Sequence, residues 1–438
     1  MACTHTHGRA DVTLTAPMLS IMSPKPLLLA LLTAAACTQA QPKADPPATQ
    51  AAAPSPVAVP PVPSLAPADR SHDFDRELRL LFRMVACAGT EPIPAELEPV
   101  VARHCALFQK TMSNYQTKYV AVAQPFLLGL QPKGLPSTVV YPFGGGDLLS
   151  ALTTFPNLTE VSTLSLEYAG DPRRIVGITP ERLELSLAQV RRRVSGLLIW
   201  TESTSENMMQ LQKGDIPGQL AFFLTALAVH GQEPVSLRFF NLSPEGVPVY
   251  LSATDVAALE TSTATKLNKV WKSPDFSVAF SNSEITFRKA GDPKAPLRVH
   301  RHVAADLSNS GLRNVPAILK HLEAKGRVTA IVKAASYLLW NSGFSGIRNY
   351  LLANMEYMLS DSTGIPPRYA QKAGFEVLAY GQFDAPFLPT PEAEAADMLA
   401  LFAAQPRREL TFRYGYPDNH SHHHLLVTRK PEKPPAAK

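Results

Sequence analysis

The sequence predicts an α/β protein, a mostly parallel sheet flanked by helices, and three observations point to it. Apolar, β-rich runs at 138–143, 161–166, 235–240, 299–305 and 328–332 alternate with segments whose apolar residues recur at helical spacing. Such alternation is the pattern of strands joined by crossover helices rather than of separate all-β and all-α blocks. The 438 residues, 45% of them apolar, also suffice for a large hydrophobic core. Forty prolines place part of the chain in linker, since an average protein has about 5% proline. The net charge of +5 is spread over 42 basic and 37 acidic residues, with no basic block beyond Arg191, Arg192 and Arg193, so no nucleic-acid partner is expected.

Taken in chain order, the first element is a signal peptide over 1–36. Lys25 precedes the apolar run 27–32, which leads through Thr33, Ala34, Ala35 and Ala36 to Cys37. The run is far shorter than the about 20 residues of a membrane-spanning helix. Small residues directly before a cysteine resemble the lipobox of bacterial lipoproteins. That resemblance implies cleavage before Cys37, lipidation of its thiol, and a membrane partner through the lipid anchor in the cell envelope, periplasmic or outer membrane. Residues 1–17 are polar and include His5, His7 and Asp11, which makes Met18 or Met22 the alternative start. Residues 37–70 form a disordered tether: of the 33 residues after Cys37, nine are proline and nine alanine, with too few large side chains to fold. In polyproline-like conformation, at about 3.1 Å per residue, it reaches on the order of 100 Å.

Residues 71–125 are predicted to form a helical hairpin, with Leu78, Leu81, Phe82 and Val85 on one helix face and Leu97, Val101, Cys105 and Phe108 on the next. Once Cys3 is removed and Cys37 lipidated, Cys87 and Cys105 remain as an even pair. An exported chain would join them as a disulfide worth roughly 3 kcal/mol; two buried free thiols are the alternative. The α/β domain then spans 126–428. Thr179, Pro180 and Glu181 start a helix carrying Leu183, Leu187, Val190 and Val194, and another carries Ile347, Tyr350, Met355 and Met358. Between 246 and 288 the pattern changes to an insertion or antiparallel edge. Segments 375–380, 410–414 and 425–428 are predicted as closing strands, and 429–438 as a frayed tail.

The densest functional signal lies at 138–167: a strand ending near Tyr141, a glycine turn of Gly144, Gly145 and Gly146, Asp147, a helix, and a second strand ending at Glu167. Glycines at a helix start let a ligand approach backbone amides, and an acidic group after the second strand suits ribose hydroxyls. The segment resembles the first βαβ unit of Rossmann-like S-adenosylmethionine methyltransferases, which implies a cofactor pocket lined by Gly144, Gly145, Gly146, Asp147 and Glu167. It departs from that family in having Tyr141 and Pro142 where an acidic residue is usual. The alternative is a tight turn with Asp147 capping the helix and no cofactor.

A second group, Asp306, Ser308, Asn309, Lys333, Ser336 and Tyr337, sits at predicted strand ends, where open α/β sheets bind ligands. Lys333 is an anion clamp or a base for Ser336, or else an ion-pair partner of Asp306 or Asp361. The segments YPFGGGDL, DLSN, KAASYLL, SGIRN and DSTGIP, spread over roughly 118–428, resemble a family of uncharacterised bacterial secreted proteins and lipoproteins. The resemblance implies a shared fold and carries no activity. Ser345 lies in a near match to the nucleophile elbow, with Ile347 where its final glycine belongs. The run Asn419, His420, Ser421, His422, His423 and His424 is expected to be a solvated, adventitious metal binder, because adjacent loop histidines do not preorganise a site; no metal centre is expected. The expected function is therefore binding of a small polar ligand or a protein partner at the strand ends. A methyltransferase-like enzyme is the second reading and a serine hydrolase using Ser336 or Ser345 the third, with no catalytic residue or cofactor assigned.

Overall fold

The computed structural model describes residues 74–199, 215–216, 218–261 and 277–431; the leader, Cys37, the tether and the last residues of the tail lie outside the described residues. Helix α1 (Asp75–Val85) buries Leu78, Leu81, Phe82 and Val85, and α2 (Glu98–Tyr115) buries Val101, Cys105 and Phe108. A disulfide joins Cys87, just past α1, to Cys105 within α2. Helix α2 runs on through a π-helical stretch (Gln116–Val120) into α3 (Ala121–Gly129), so the boundary expected at 125/126 falls inside a helix. Among the described residues no helix is long and apolar enough to cross a membrane.

The sheet begins with β1 (Thr138–Pro142), α4 (Leu148–Thr154) and β2 (Glu160–Ser165), followed by helices α5 (Pro180–Ile199) and α6 (Gly218–Val229). Strands β3 (Gln232–Leu242) and β4 (Pro248–Tyr250), helix α7 (Ala253–Thr261) and strand β5 (Ser283–Lys289) come next and lead to β6 (Arg298–Ala304). Two short helices, α8 (Asn309–Asn314) and α9 (Ala317–Glu323), precede β7 (Val328–Val332). The chain closes with α10 (Ser345–Asn354), β8 (Met355–Ser360), α11 (Pro367–Lys372), β9 (Glu376–Gly381), α12 (Glu392–Ala404) and β10 (His424–Arg429).

These strands form one mixed ten-stranded sheet in the order β4-β3-β5-β6-β2-β1-β7-β8-β10-β9. The central strands β6, β2, β1, β7 and β8 are parallel, β5 and β3 extend the sheet antiparallel on one side, and β10 lies antiparallel between β8 and β9 on the other. Alternate residues of each central strand serve two cores. Val139, Tyr141, Ile331, Tyr357 and Val427 face the helices of the N-terminal half, while Val140, Ala330, Val332, Met358 and Leu426 face those of the C-terminal half. Both sheet faces are thus covered, as parallel strands require. Helices α1 to α3 belong to the first of these cores and do not build one of their own.

Two expected elements differ. The helix carrying Ile347 and Tyr350 ends at Asn354, and Met355 and Met358 lie on β8. The run MEYMLS is apolar enough to be buried on both faces beside β7, a demand that period-2 burial meets and a one-sided helix does not. Segment 410–414 forms no strand, because β10 and β9 fill the sheet positions beyond β8; Phe412 and Tyr414 instead plug the first core.

Five of the buried or half-buried histidines of this framework share one behaviour. His302 Nε2 can only donate to the Glu167 carbonyl (2.8 Å), so its Nδ1 accepts from the Thr163 hydroxyl (3.1 Å), whose oxygen accepts from His300 Nε2 (3.0 Å). Burial is the first cause holding His104, His230, His302 and His321 down to about 4 from 6.5, and it pushes His300 well below its ordinary value. All five are neutral when folded, whereas an unfolded imidazole takes a proton below about 6.5, so unfolding takes up protons. Stability is therefore complete above about pH 7 and falls as pH drops from about 6.5 toward 4. The urea midpoint should be clearly lower at pH 5 than at pH 7.5; equal midpoints would contradict the neutral-histidine assignment.

Candidate functional site at the switch point of the sheet

Chain direction across the sheet reverses between β1 and β7: β1 continues to β2 on one side, β7 to β8 on the other. Such switch points open a crevice beyond the carboxyl ends of the strands. Both segments leaving these strands hold non-glycine residues in left-handed conformation: Phe143 (φ 61°) after β1, and Ala334, Ser336 and Tyr337 (φ 53°, 50° and 57°) after β7. Each costs roughly 1–3 kcal/mol and persists only where its surroundings impose it.

The glycine turn is closed upon itself. Gly144 N donates to Tyr141 O (3.2 Å), Asp147 N to Gly144 O (2.9 Å) and Leu148 N to Gly146 O (2.9 Å). Gly144 is required, because a Cβ there would sit 2.5 Å from the Tyr141 ring. Asp147 caps α4, accepting from Ser150 N (3.1 Å) through Oδ1 and from the Tyr141 hydroxyl (2.9 Å) through Oδ2. Lys333 Nζ donates to Ser150 Oγ (2.6 Å) and stands 3.6 Å from Asp147 Oδ2, so its near partner is Asp147 and not Asp306 or Asp361. Burial disfavours the Lys333 ammonium, but Asp147, Tyr119 and Asp361 outweigh it and raise its pKa. The Tyr141 phenol is pushed well up, first by burial and then by Asp147. The helix start is thus occupied by the chain's own carboxylate and ammonium.

Asp361, fully buried just after β8, organises the other loop. Its Oδ2 accepts from Ala334 N and Tyr416 N (both 2.8 Å), and its Oδ1 from Thr363 N (2.9 Å) and Thr363 Oγ1 (2.5 Å). Thr363 Oγ1 in turn accepts from Ala335 N (2.9 Å), the Tyr337 hydroxyl meets Ser362 Oγ (3.0 Å), and Trp340 Nε1 donates to Gly364 O (3.1 Å). Gly415 (φ 73°) leaves room for the carboxylate; a Cβ there would lie 2.0 Å from Oδ2. The segments KAASY and DSTG are therefore two halves of one buried latch.

The remaining predicted residues divide between neighbouring structures. Asp306 accepts from Ser308 N (2.9 Å), and Ser308 caps α8 through Gly311 N (3.1 Å). Asn309 bridges to the loop after β7, donating to Ser342 O (2.9 Å) and Ser345 Oγ (3.0 Å) and accepting from Gly346 N (2.8 Å), while Phe143 meets Phe344 edge-on at 5.8 Å. Glu167 is buried, with Oε2 lacking a hydrogen-bond partner. Ser336 is exposed and shares a hydrogen bond with the Tyr416 hydroxyl. The structure joins Tyr141, Asp147 and Lys333 in one network and sets Ser336 and Tyr337 beside it; Glu167, Asp306 and Ser308 are held elsewhere. Sequence reading missed Tyr414, whose ring lies 5.9 Å from Lys333 Nζ, because it ends a segment taken for a strand, and Tyr416, which lies just beyond that segment with no motif of its own.

Chemically, the loops after β1 and β7 bring together an ammonium and hydroxyls, groups that recognise polar and anionic ligands. Hydrogen bonds of Ser336 and Ser345 run to Tyr416 and Asn309, not to an imidazole. Comparison with family models, curated proteins and solved structures finds no match.

Asp361→Asn turns one acceptor toward the converging N–H groups as a donor and should cost about 2–3 kcal/mol in denaturant unfolding. Asp306→Asn, at an exposed cap, should stay within about 0.5 kcal/mol. Equal losses would remove Asp361 from its central role.

Proposed function

We propose that the chain is an exported lipoprotein, anchored at Cys37 and held off the membrane by its proline-rich tether, that binds a small polar, anionic ligand at the switch point. One observation carries the binding reading: costly left-handed residues lie in the segments leaving both strands, beside a half-buried Lys333, while the helix start that would receive a nucleotide is already capped. By order in the chain, the parallel strands run third, second, first, fourth, fifth across the sheet, the arrangement of doubly wound dinucleotide folds, which supports a Rossmann-like core. The helical hairpin then acts as a disulfide-stapled buttress on one face of it. A methyltransferase-like enzyme is the second reading, favoured by the unpartnered Oε2 of buried Glu167 after β2, where ribose hydroxyls would bind.

Two experiments test these readings. Protein purified from a bacterial membrane fraction should have the mass of a chain starting at diacylglyceryl Cys37 and lying two hydrogens below the reduced value; a soluble, uncleaved chain with free thiols would overturn export. In thermal unfolding, small carboxylates or inorganic phosphate at about 100 times Kd should add about 2.7 kcal/mol of stability, read as a shift of several degrees. That shift should vanish in Lys333→Met and shrink in Ser336→Ala. A response to S-adenosylmethionine alone, lost in Glu167→Gln, would select the enzyme, and silence toward every probe would sink the binding reading.

A further inference from the structure

The histidine run 420–424 does not stand alone in the fold. Strand β9 ends at Gly381 and pairs there with His424 at the start of β10, and Gln382 N donates to His423 O (3.0 Å). This pairing sets the loop after β9 against the loop before β10 and brings Asp384 to the histidines. His422 Nδ1 lies 3.1 Å and His420 Nδ1 3.7 Å from the same Asp384 Oδ2. Asp418 stands behind them, its side chain fully buried. Its Oδ1 accepts from the backbone N–H groups of His420 (2.9 Å) and His422 (2.8 Å), and its Oδ2 from Asp384 N (2.8 Å) and the His422 ring (2.9 Å). One carboxylate therefore fixes the backbone of all three outer residues. The donor atoms of Asp384, Asp418, His420 and His422 all lie within 4.8 Å of one another.

We propose that Asp384, His420 and His422 bind a divalent transition metal ion of the zinc class, with Asp418 as the buried carboxylate that orients them. Bonds of about 2.0–2.2 Å at angles between 90° and the tetrahedral value put ligand atoms roughly 3.0–3.5 Å apart, close to the separations already present. Two imidazoles and a carboxylate form a set that such ions accept readily. For Nδ1 to take the ion, the neutral His422 ring moves its one proton from Nδ1 to Nε2 and gives up its hydrogen bond to Asp418, so no net proton is lost from the ring. His420, His422 and Asp384 are 60%, 33% and 42% exposed, which leaves the solvent side of the ion open to water or a further ligand. The ion would clip the two loops together. Because Phe387 N donates to the Tyr337 hydroxyl (3.0 Å), the clipped loop also reaches the switch-point latch.

The test is zinc chloride titrated calorimetrically into the chelator-treated full chain, repeated with cobalt(II) read by its visible spectrum. One equivalent should bind, and it should raise the thermal midpoint. Asp384→Asn and His422→Ala should each weaken binding about 10- to 100-fold. His423→Ala, in the same run but outside the cluster, should leave it unchanged. Metal-free midpoints of Asp384→Asn and His423→Ala should match the parent, and the metal-induced rise of each variant is read against its own metal-free midpoint, which separates lost ligation from the lost His422–Asp418 hydrogen bond. Binding unaffected by Asp384→Asn, or weakened as much by His423→Ala as by His422→Ala, would reduce the site to a solvated histidine run. No binding at micromolar zinc would also overturn the proposal.

Discussion

Everything at the carboxyl end of the sheet depends on one buried carboxylate. Asp361 leaves β8 beside the end of β7, and its two oxygens accept from the backbone of three separate stretches, at Ala334, Thr363 and Tyr416. Buried hydrogen bonds are strengthened by their low-dielectric surroundings, and the four that Asp361 accepts can offset the left-handed conformations at 334, 336 and 337. Without it the loop after β7 would relax toward ordinary dihedrals, Tyr337 would leave Ser362, and the segment carrying Tyr414 and Tyr416 would lose its anchor. The carboxylate is also held by its own turn with Thr363, so it is fixed independently of the strained loop.

A second polar assembly fixes how the antiparallel extension joins the parallel block. Glu284 on β5 accepts from Arg238 on β3 (2.5 Å), Arg301 on β6 (2.7 Å) and the Tyr250 hydroxyl (2.7 Å), while Arg301 also reaches Glu160 on β2 (2.8 Å), which pairs with Lys325. Burial alone would raise the Glu160 pKa; Lys325 and Arg301 outweigh it and bring it to about 2. A one-residue slip of β5 against β6 would turn Glu284 to the other face, leaving Arg238 without its carboxylate and Arg301 with Glu160 alone. The network thus specifies register across four strands, a role for which buried charges suit better than apolar contacts.

Much of this architecture was legible in the chain. The central strands were legible because each is a short, dense apolar run, and α1, α2 and α5 because their apolar residues repeat every three or four positions. The helix through Met358 and the strand at 410–414 were misread for a common reason: MEYMLS and LTFRY are apolar at spacings compatible with either state, and only the free positions in the sheet decide between them. In the candidate site, the glycine turn and the KAASY and DSTG segments stood out as polar groups after apolar strands. That Asp147 turns inward to cap α4 and meet Lys333 depends on β1 and β7 being neighbours, although 183 residues separate Ser150 from Lys333.

The sequence by itself determined the alternation of strands and helices, the even cysteine pair and the positions of the conspicuous turns, because local periodicity and composition encode burial directly. Only the tertiary structure decided which strands lie side by side, and with them every long-range polar partnership: Lys333 with Asp147, Asp361 with Ala334 and Tyr416, and Asp384 with His420 and His422. A carboxylate has no sequence periodicity that marks its partner. Its partner is whichever donor the packing of the sheet brings within about 3 Å, and that distance exists only after the chain has folded.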